Sequence, residues 1–272
     1  MVSLRRTVRF SLPPPGAESG WTAEKRNAFA GWPSSTGIAV FGAIEVVVEG
    51  EPDSRTGYLV NITEIDRVVR DLALPFIAEA HARQFAEQSP IEPSRLLVEL
   101  ATLVASGLAA PLRSIAWILT PSHSVAFDLV MPHHVELRQS FEFSASHRLH
   151  CPEYDDDTNR RIFGKCNNPN GHGHNYRLEV AVAVPLATIP ALPLGRLEEI
   201  VDEAVIRRFD HKHLNSDCPE FASLNPSVEH IAKVCHDLLV EPFRRAGGTL
   251  QRVTVWETEK TACSYPCDLT PR

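Results

Sequence analysis

The sequence predicts an α+β chain built as two tandem copies of a unit of about 130 residues. Three observations carry this. Strict period-two alternation marks strands, amphipathic stretches with start signals mark helices between them, and the same elements recur in the same order in both halves. Arg26–Val48 aligns with Arg160–Val182, so that Phe29 meets Phe163, Gly37 meets Gly171, Ile44 meets Leu178, and Glu45-Val46 meets Glu179-Val180. Further on, Pro93-Ser94 meets Pro226-Ser227 and Trp117 meets Trp256. The expected domains are residues 1–130 and 131–272.

The elements follow in order. In the first copy, Asn61-Ile-Thr-Glu64 has the form of a capping box and opens a helix with Ile65, Val68, Val69 and Leu72 on one face. In the second copy, Val135, Leu137, Gln139, Phe141, Phe143, Ala145 and His147 alternate with polar residues, as in a half-buried strand. From His172 the even positions run His172, His174, Tyr176, Leu178, Val180, Val182 and Val184, a second strand. Leu197, Ile200, Val201, Ala204 and Val205 read as a helix face. Asn225, with Pro226 at the first helical position, opens another helix, apolar at Val228, Ile231, Cys235 and Leu238. Gln251–Glu257 reads as the last strand, with Glu257 on the Val253/Val255 side.

These strands bring chemistry together. Residues i and i+2 of a strand share a face, so His172 and His174 can grip one metal ion. His147 ends the preceding strand on its apolar face and can supply a third imidazole. A single inward histidine is ordinary in a core. Three at strand ends, with Cys166 in the adjoining loop, point to a zinc site whose fourth position stays open. Cys263 and Cys267 have no partner group nearby in sequence and are not expected to form a second one.

Composition narrows the class. A net charge of −7 without a basic run argues against a nucleic-acid partner. No run of about 18 apolar residues suggests a membrane span. The first sixteen residues carry Arg5, Arg6 and Arg9 but no apolar core, unlike a secretory signal. The six cysteines show no disulfide framework, so a reducing cytoplasm is expected.

Five segments occur in a telling order: Phe143-Ser-Ala-Ser-His-Arg-Leu149, Gly164-Lys-Cys-Asn-Asn-Pro-Asn-Gly-His-Gly-His-Asn-Tyr176, Asp210-His211-Lys-His-Leu-Asn215, Asn225-Pro-Ser-Val-Glu229 and Trp256-Glu-Thr258. Over residues 135–265 the chain resembles the 6-pyruvoyltetrahydropterin synthase family, which includes the bacterial 6-carboxytetrahydropterin synthases of the queuosine pathway. The resemblance implies a tunnel fold, with antiparallel sheets carrying helices on one face and closing into barrels by oligomerisation. It implies a zinc lyase acting on the small molecule 7,8-dihydroneopterin triphosphate, with release of triphosphate and tetrahydrobiopterin-type pterin chemistry. Zinc would be held by His147, His172 and His174. Cys166 would be the base, polarised by Asp210 and His211, and Glu257 would hold the pterin's N2/N3 edge, with Glu229 and Ser227 also at the substrate. Arg148 and Lys165 are candidates for the triphosphate, while His150, His213 and His230 have no assigned role. The carboxy-forming reaction and a non-catalytic pterin- or purine-binding protein are the alternatives.

In the first copy the chemistry is missing. Cys166 is opposed by Trp32, His172 by Ile38, His174 by Val40, Glu229 by Leu96 and Glu257 by Ile118. The first copy is therefore expected to keep the fold without the metal. The family assembles six copies as two stacked trimeric rings, so a polypeptide holding two copies implies a homotrimer. The turn Glu51–Gly57 then suggests that the first copy lends a wall to a neighbour's pocket.

Overall fold

The computed structural model describes residues 1–12, 38–188 and 192–267. Phe29, Trp32 and Gly37, three partners in the internal alignment, lie outside them. The protein forms two compact units, Met1–Leu137 with Pro185–Ile189 and Arg138–Val184 with Pro190–Arg272. The division falls inside a strand, seven residues beyond the boundary expected at 130/131.

The first unit holds β1 (Val2–Leu12), β2 (Val40–Gly50), α1 (Ile62–Val68), α2 (Leu74–Ala86), α3 (Pro93–Gly107), β3 (Leu112–Thr120) and β4 (His123–Asp128). Its strands pair antiparallel in sequence order. One face of the sheet presents Val8, Phe10, Ile44, Val46, Val48 and Ile115, all buried, and the helices cover it with Ile65, Val69, Leu97, Leu100 and Val104. Burial of each of these residues contributes about 1.5–3 kcal/mol. The cap of α1 is half of what the capping-box pattern implies. Asn61 Oδ1 accepts from Thr63 N at 3.0 Å, but Glu64 reaches across to the backbone N–H of Ala109 at 2.9 Å. A π-helical turn, Val69–Ala73, separates α1 from α2.

The second unit holds β5 (His134–His147, its first residues counted with the first unit), α4 (Asp156–Phe163), β6 (His172–Pro185) and α5 (Leu194–Val201). There follow α6 (Arg207–Phe209), β7 (Lys212–His213), α7 (Leu214–Asp217), α8 (Val228–Arg245), β8 (Thr249–Thr258) and β9 (Thr261–Tyr265). The strand order is β5-β6-β8-β9, and β7 lies parallel to the end of β5 through Ala145 and Ser146. The expected face of β5 is buried at Val135, Leu137, Gln139, Phe143, Ala145 and His147. On β6 the alternation gives way to continuous burial from Val180, where the ladder to β8 slips between Ala181 and Val182. The second helix starts later than expected. Ser227, not Asn225, is the N-cap of α8, and Leu239 rather than Leu238 completes its buried stripe. Pro226 is thus left outside the helix.

Both units use the same irregularities. The β2–β3 ladder shifts between Val47 and Val48, and the β6–β8 ladder between Ala181 and Val182, which are aligned pairs. The β3–β4 ladder shifts between Ile118 and Thr120, and the β8–β9 ladder between Trp256 and Thr258. Each unit also has a π turn directly after a helix, Val69–Ala73 after α1 and Asp202–Ile206 after α5. These registers shift the expected alignment, so that Ile118 rather than Trp117 stands opposite Trp256, and Pro93-Ser94 stands opposite Val228-Glu229 rather than Pro226-Ser227. Ala43 faces Ile118 as Arg177 faces Trp256, so Leu119, not Ile118, is opposite Glu257. The buried stripe Leu96, Leu97, Leu100 and Val104 matches Ile231, Ala232, Cys235 and Leu239, so Ser94, not Leu96, is opposite Glu229. That position is polar in both units. Among the described residues no helix is long and apolar enough to cross a membrane.

One ion pair fastens α1 to β1. Asp66, 2% exposed, takes a two-pronged hydrogen bond from Arg6 Nε at 2.7 Å and Nη2 at 2.8 Å. Asp66→Asn would leave the guanidinium facing a neutral amide. Because Arg6 is itself partly exposed, the loss should be about 2–3 kcal/mol rather than the larger cost of a fully buried pair. Urea denaturation should show it as a lower midpoint, whereas Arg5→Ala, removing a 3.6 Å pair from an exposed residue, should barely move it.

Candidate active site

The ends of β5 and β6 bring the three histidines together as strand parity requires. Their ligand nitrogens lie within 4.8 Å of one another, the one such group among the described residues. His147 Nε2 stands 3.1 Å from His172 Nε2, and the ring centroids of His172 and His174 are 4.8 Å apart. His147 is fully buried, and its Nδ1 lies 2.7 Å from the Pro226 carbonyl. A carbonyl only accepts, so Nδ1 carries the proton and Nε2 offers a lone pair to the cluster. Burial, followed by the neighbouring imidazoles, holds the His147 pKa below its ordinary value although Pro226 and Glu257 oppose this. Burial lowers His172 as well.

Glu257 joins this group. Its Oε1 lies 3.4 Å from His147 Nε2 and 3.6 Å from His174 Nε2. The β8–β9 register shift makes Glu257 the extra residue of a bulge, which turns its carboxylate toward the histidines. These residues fit a divalent cation. One proton between His147 and His172 still leaves His172 Nδ1 and His174 Nε2 buried without partners, and it leaves a carboxylate oxygen against a lone pair. A soft-to-borderline ion with imidazole ligands, such as zinc, answers the facing nitrogens of His147, His172 and His174 and the carboxylate oxygen at once.

The cysteine loop is braced rather than loose. Gly164 ends α4 at φ 54°, a conformation that favours glycine, and a 3-10 turn carries Gly164–Asn167. Cys166 O accepts from Leu149 N at 2.8 Å, and buried Asn167 accepts from Arg148 through both its amide oxygen and its backbone carbonyl. Arg148 is therefore committed to the loop rather than open to a phosphate; Lys165 is exposed. Gly171, at φ 72°, passes so close to β5 that a Cβ would lie 2.8 Å from His213 Nε2 and 3.0 Å from His147 O. The Cys166 thiol is raised by burial first and by Glu257 second, opposite to the lowering expected of a poised base.

Asp210 and His211 pair with each other, His211 Nδ1 donating to Asp210 Oδ2 at 2.8 Å. Asp210 also accepts from Ser144 N at 2.8 Å, and these bonds hold its carboxyl below the usual range. Its partner ring is 82% exposed, with φ 57°. No hydrogen bond or ion pair among the described residues links the pair to Cys166, so the polarising contact expected from His211 is not made here. His211 shares with His174 an open hollow of about 440 Å³, also lined by Ser144, Ser146 and Asn175. Ser227 caps α8 toward His230 N and holds the Glu229 carboxyl below its ordinary range, so both sit at the helix start next to the Pro226 carbonyl.

Two contributors escape sequence reasoning. The Pro226 carbonyl is a main-chain atom, and no side-chain pattern announces it. Tyr176, fully buried, stacks on Phe143 at 5.0 Å and stands edge-on to His147 and His174, its hydroxyl without a partner. Its place on the His172/His174 face is the available signal.

The protein matches the family model for 6-pyruvoyl tetrahydropterin synthase over residues 136–267. The human protein named 6-pyruvoyl tetrahydrobiopterin synthase is 38% identical over 132 residues, covering 48% of this chain and 90% of that protein. The chain belongs to the 6-pyruvoyl tetrahydropterin synthase family. A Drosophila melanogaster member is also 38% identical, over 45% of this chain and 74% of its own. The solved Caenorhabditis elegans member is 31% identical with a TM-score of 0.45, over 48% of this chain and 94% of that one. The family match covers the histidines, Cys166 and Glu257, and residues 1–135 lie outside it.

The depressed imidazoles predict a pH dependence with a definite sign. In the metal-free protein the folded pKa values of His147 and His172 lie below the ordinary 6.5. As pH falls through about 6.5 the unfolded protein takes up protons that the folded one refuses, so stability drops until the folded rings also protonate. Thermal melts in chelator from about pH 8 to about pH 5 should show this fall, with a shallower slope in His147→Asn. An unchanged slope would remove burial as its cause.

Proposed function

We propose that the protein is a lyase that converts 7,8-dihydroneopterin triphosphate to 6-pyruvoyltetrahydropterin with release of triphosphate. The convergence of His147, His172 and His174 beside Cys166 and Glu257 carries this reading, and relatives named for that product support it. Zinc at the three imidazoles would supply Lewis-acid polarisation of the substrate's hydroxyl oxygens. Glu257 accepts from the pterin's N2/N3 donors and fixes the reacting carbons near Cys166. The Cys166 thiolate takes a proton from a carbinol carbon of the substrate, and the electron pair released moves toward expulsion of the triphosphate oxygen. Asp210 holds His211 by Nδ1, leaving Nε2 to exchange a proton with the thiol when the two are brought together. Ser227 and Glu229 keep the α8 start, and thereby the Pro226 carbonyl, in place.

We assign catalysis to residues 131–272 and read residues 1–130 as a copy that keeps the fold. Its shared bulges and π turn support common descent, and Ile38, Val40 and Leu119 offer no ligand atoms. A cytoplasmic location suits its free cysteines.

Incubation of purified protein with 7,8-dihydroneopterin triphosphate should yield a pterin with the mass of 6-pyruvoyltetrahydropterin, at about one zinc per polypeptide. The carboxy product, or no turnover, would point to either alternative. Cys166→Ala should retain zinc and fold while losing turnover by at least about a hundredfold.

Assembly follows from the two copies. Within the described residues, β1 and β9 stand at the two ends of the strand order, and sheet edges invite pairing. Three polypeptides would supply six copies. Light scattering should give a mass of three protomers of 30.2 kDa; a monomer would exclude this assembly.

A further inference from the structure

Glu257 stands where a metal ligand would stand. Its Oε1 is 3.4 Å from His147 Nε2 and 3.6 Å from His174 Nε2, and His147 Nε2 is 3.1 Å from His172 Nε2. Ligands at about 2.0–2.1 Å around a tetrahedral zinc lie about 3.3 Å apart, so these separations are close to those of neighbouring vertices. The Glu257–His147 contact is not a hydrogen bond. Pro226 takes the Nδ1 proton of His147, so its neutral ring turns a lone pair toward a carboxylate that offers another. Two acceptors at this distance repel unless a cation lies between them. The carboxylate is 19% exposed, and these two imidazoles are its only ion-pair partners among the described residues. An unpaired carboxylate that far from water is costly.

The backbone aims it there. The β8–β9 register slips between Trp256 and Thr258, which makes Glu257 the bulged residue. The first unit has the same slip between Ile118 and Thr120, and there the bulge carries Leu119. The bulge is therefore compatible with an apolar residue, and the acid is not needed to form it.

We propose that Glu257 is the fourth metal ligand of the substrate-free protein and leaves the ion when a pterin arrives, turning its carboxylate to the donor edge of the ring. This rests on the reading of the three histidines as a zinc site and deepens it. The fourth position is then guarded by a carboxylate that only a molecule with a matching N–H edge draws away. Water is a poor competitor for the ion, and the pterin provides the donors that compensate the carboxylate for leaving. Metal and pterin thus share one carboxylate, so each alters the other's affinity by the same factor.

The test uses the full-length protein, stripped by chelator and reloaded with Zn²⁺ or Co²⁺. Competition with a chromophoric chelator reads zinc affinity. The Co²⁺ visible band reads coordination, since four-coordinate cobalt absorbs far more strongly than five- or six-coordinate cobalt. Glu257→Gln should lower zinc affinity by about tenfold or more and change the cobalt band. Glu257→Leu, the residue type that the equivalent bulge already carries, should do the same, and metal-free melts will show that both variants fold. Saturating 7,8-dihydroneopterin, which lacks the triphosphate, should move the wild-type band toward that of Glu257→Gln. Wild-type zinc affinity and an unaltered band in both variants, with metal lost in His172→Ala, would overturn the proposal and leave the three-histidine site standing. Zinc binding indifferent to His172→Ala would overturn the site reading and the proposal together.

Discussion

The hydrogen bond from His147 to the Pro226 carbonyl governs the site, because it decides two things at once. It joins the end of β5 to the start of α8 across a fully buried contact, and it fixes which nitrogen of His147 faces its neighbours. A ring free to flip would present either nitrogen, and the convergence with His172 and His174 would be lost. The start of α8 explains why the carbonyl is available. With Ser227 as the cap, Pro226 stays outside the helix, and its oxygen is not committed to a helical hydrogen bond. Ser227 thus acts on the site through the position of its neighbour.

The cysteine loop answers a different demand. In the proposed reaction a base must sit near the reacting carbons without competing for the metal, and a flexible loop would meet that demand only part of the time. Asn167 is buried and held by Arg148, while Gly171 lets the backbone return against β5 where no larger residue would fit. The Cys166 thiol is therefore placed by the backbone, and its protonation is left to its neighbours. Burial and Glu257 both favour the neutral thiol. A cation entering between Glu257 and the histidines would relieve the second of these, which ties thiolate formation to the filling of the site.

Much of this is legible in the sequence because strand parity is rigid. The i, i+2 spacing of His172 and His174 and the alternation ending at His147 leave no freedom about which face they share. What stays hidden depends on main-chain atoms and on ladder irregularities. A bulge costs one residue and leaves no composition signal, so the partner of Glu257 shifts from Ile118 to Leu119 only when the ladders are known. The helix start moves for a similar reason. Asn225-Pro226 and Ser227 are all plausible openers, and the Ser227 hydroxyl decides among them by finding the His230 N–H. Contacts of the Cys166 loop with Arg148 are likewise beyond reach, since an arginine beside a motif reads equally well as a phosphate ligand.

The two units separate what the fold requires from what the chemistry requires. Both carry the same slips in their ladders and a π turn directly after a helix, so these features belong to packing a twisted sheet under its helices. Only one places imidazoles and a carboxylate at the strand ends and the bulge. Where the second unit has Glu257, the first has Leu119, and where the second has His174, the first has Val40, half exposed to solvent. Burial of an apolar face sustains a sheet whatever stands at its ends, so the fold does not depend on the ligands. The reverse does not hold. The histidines converge only because the strands are in register, and the Glu257 carboxylate reaches them only because the bulge turns it inward. Chemistry in this protein is the dependent layer, and a fold free of that layer is what the first unit provides.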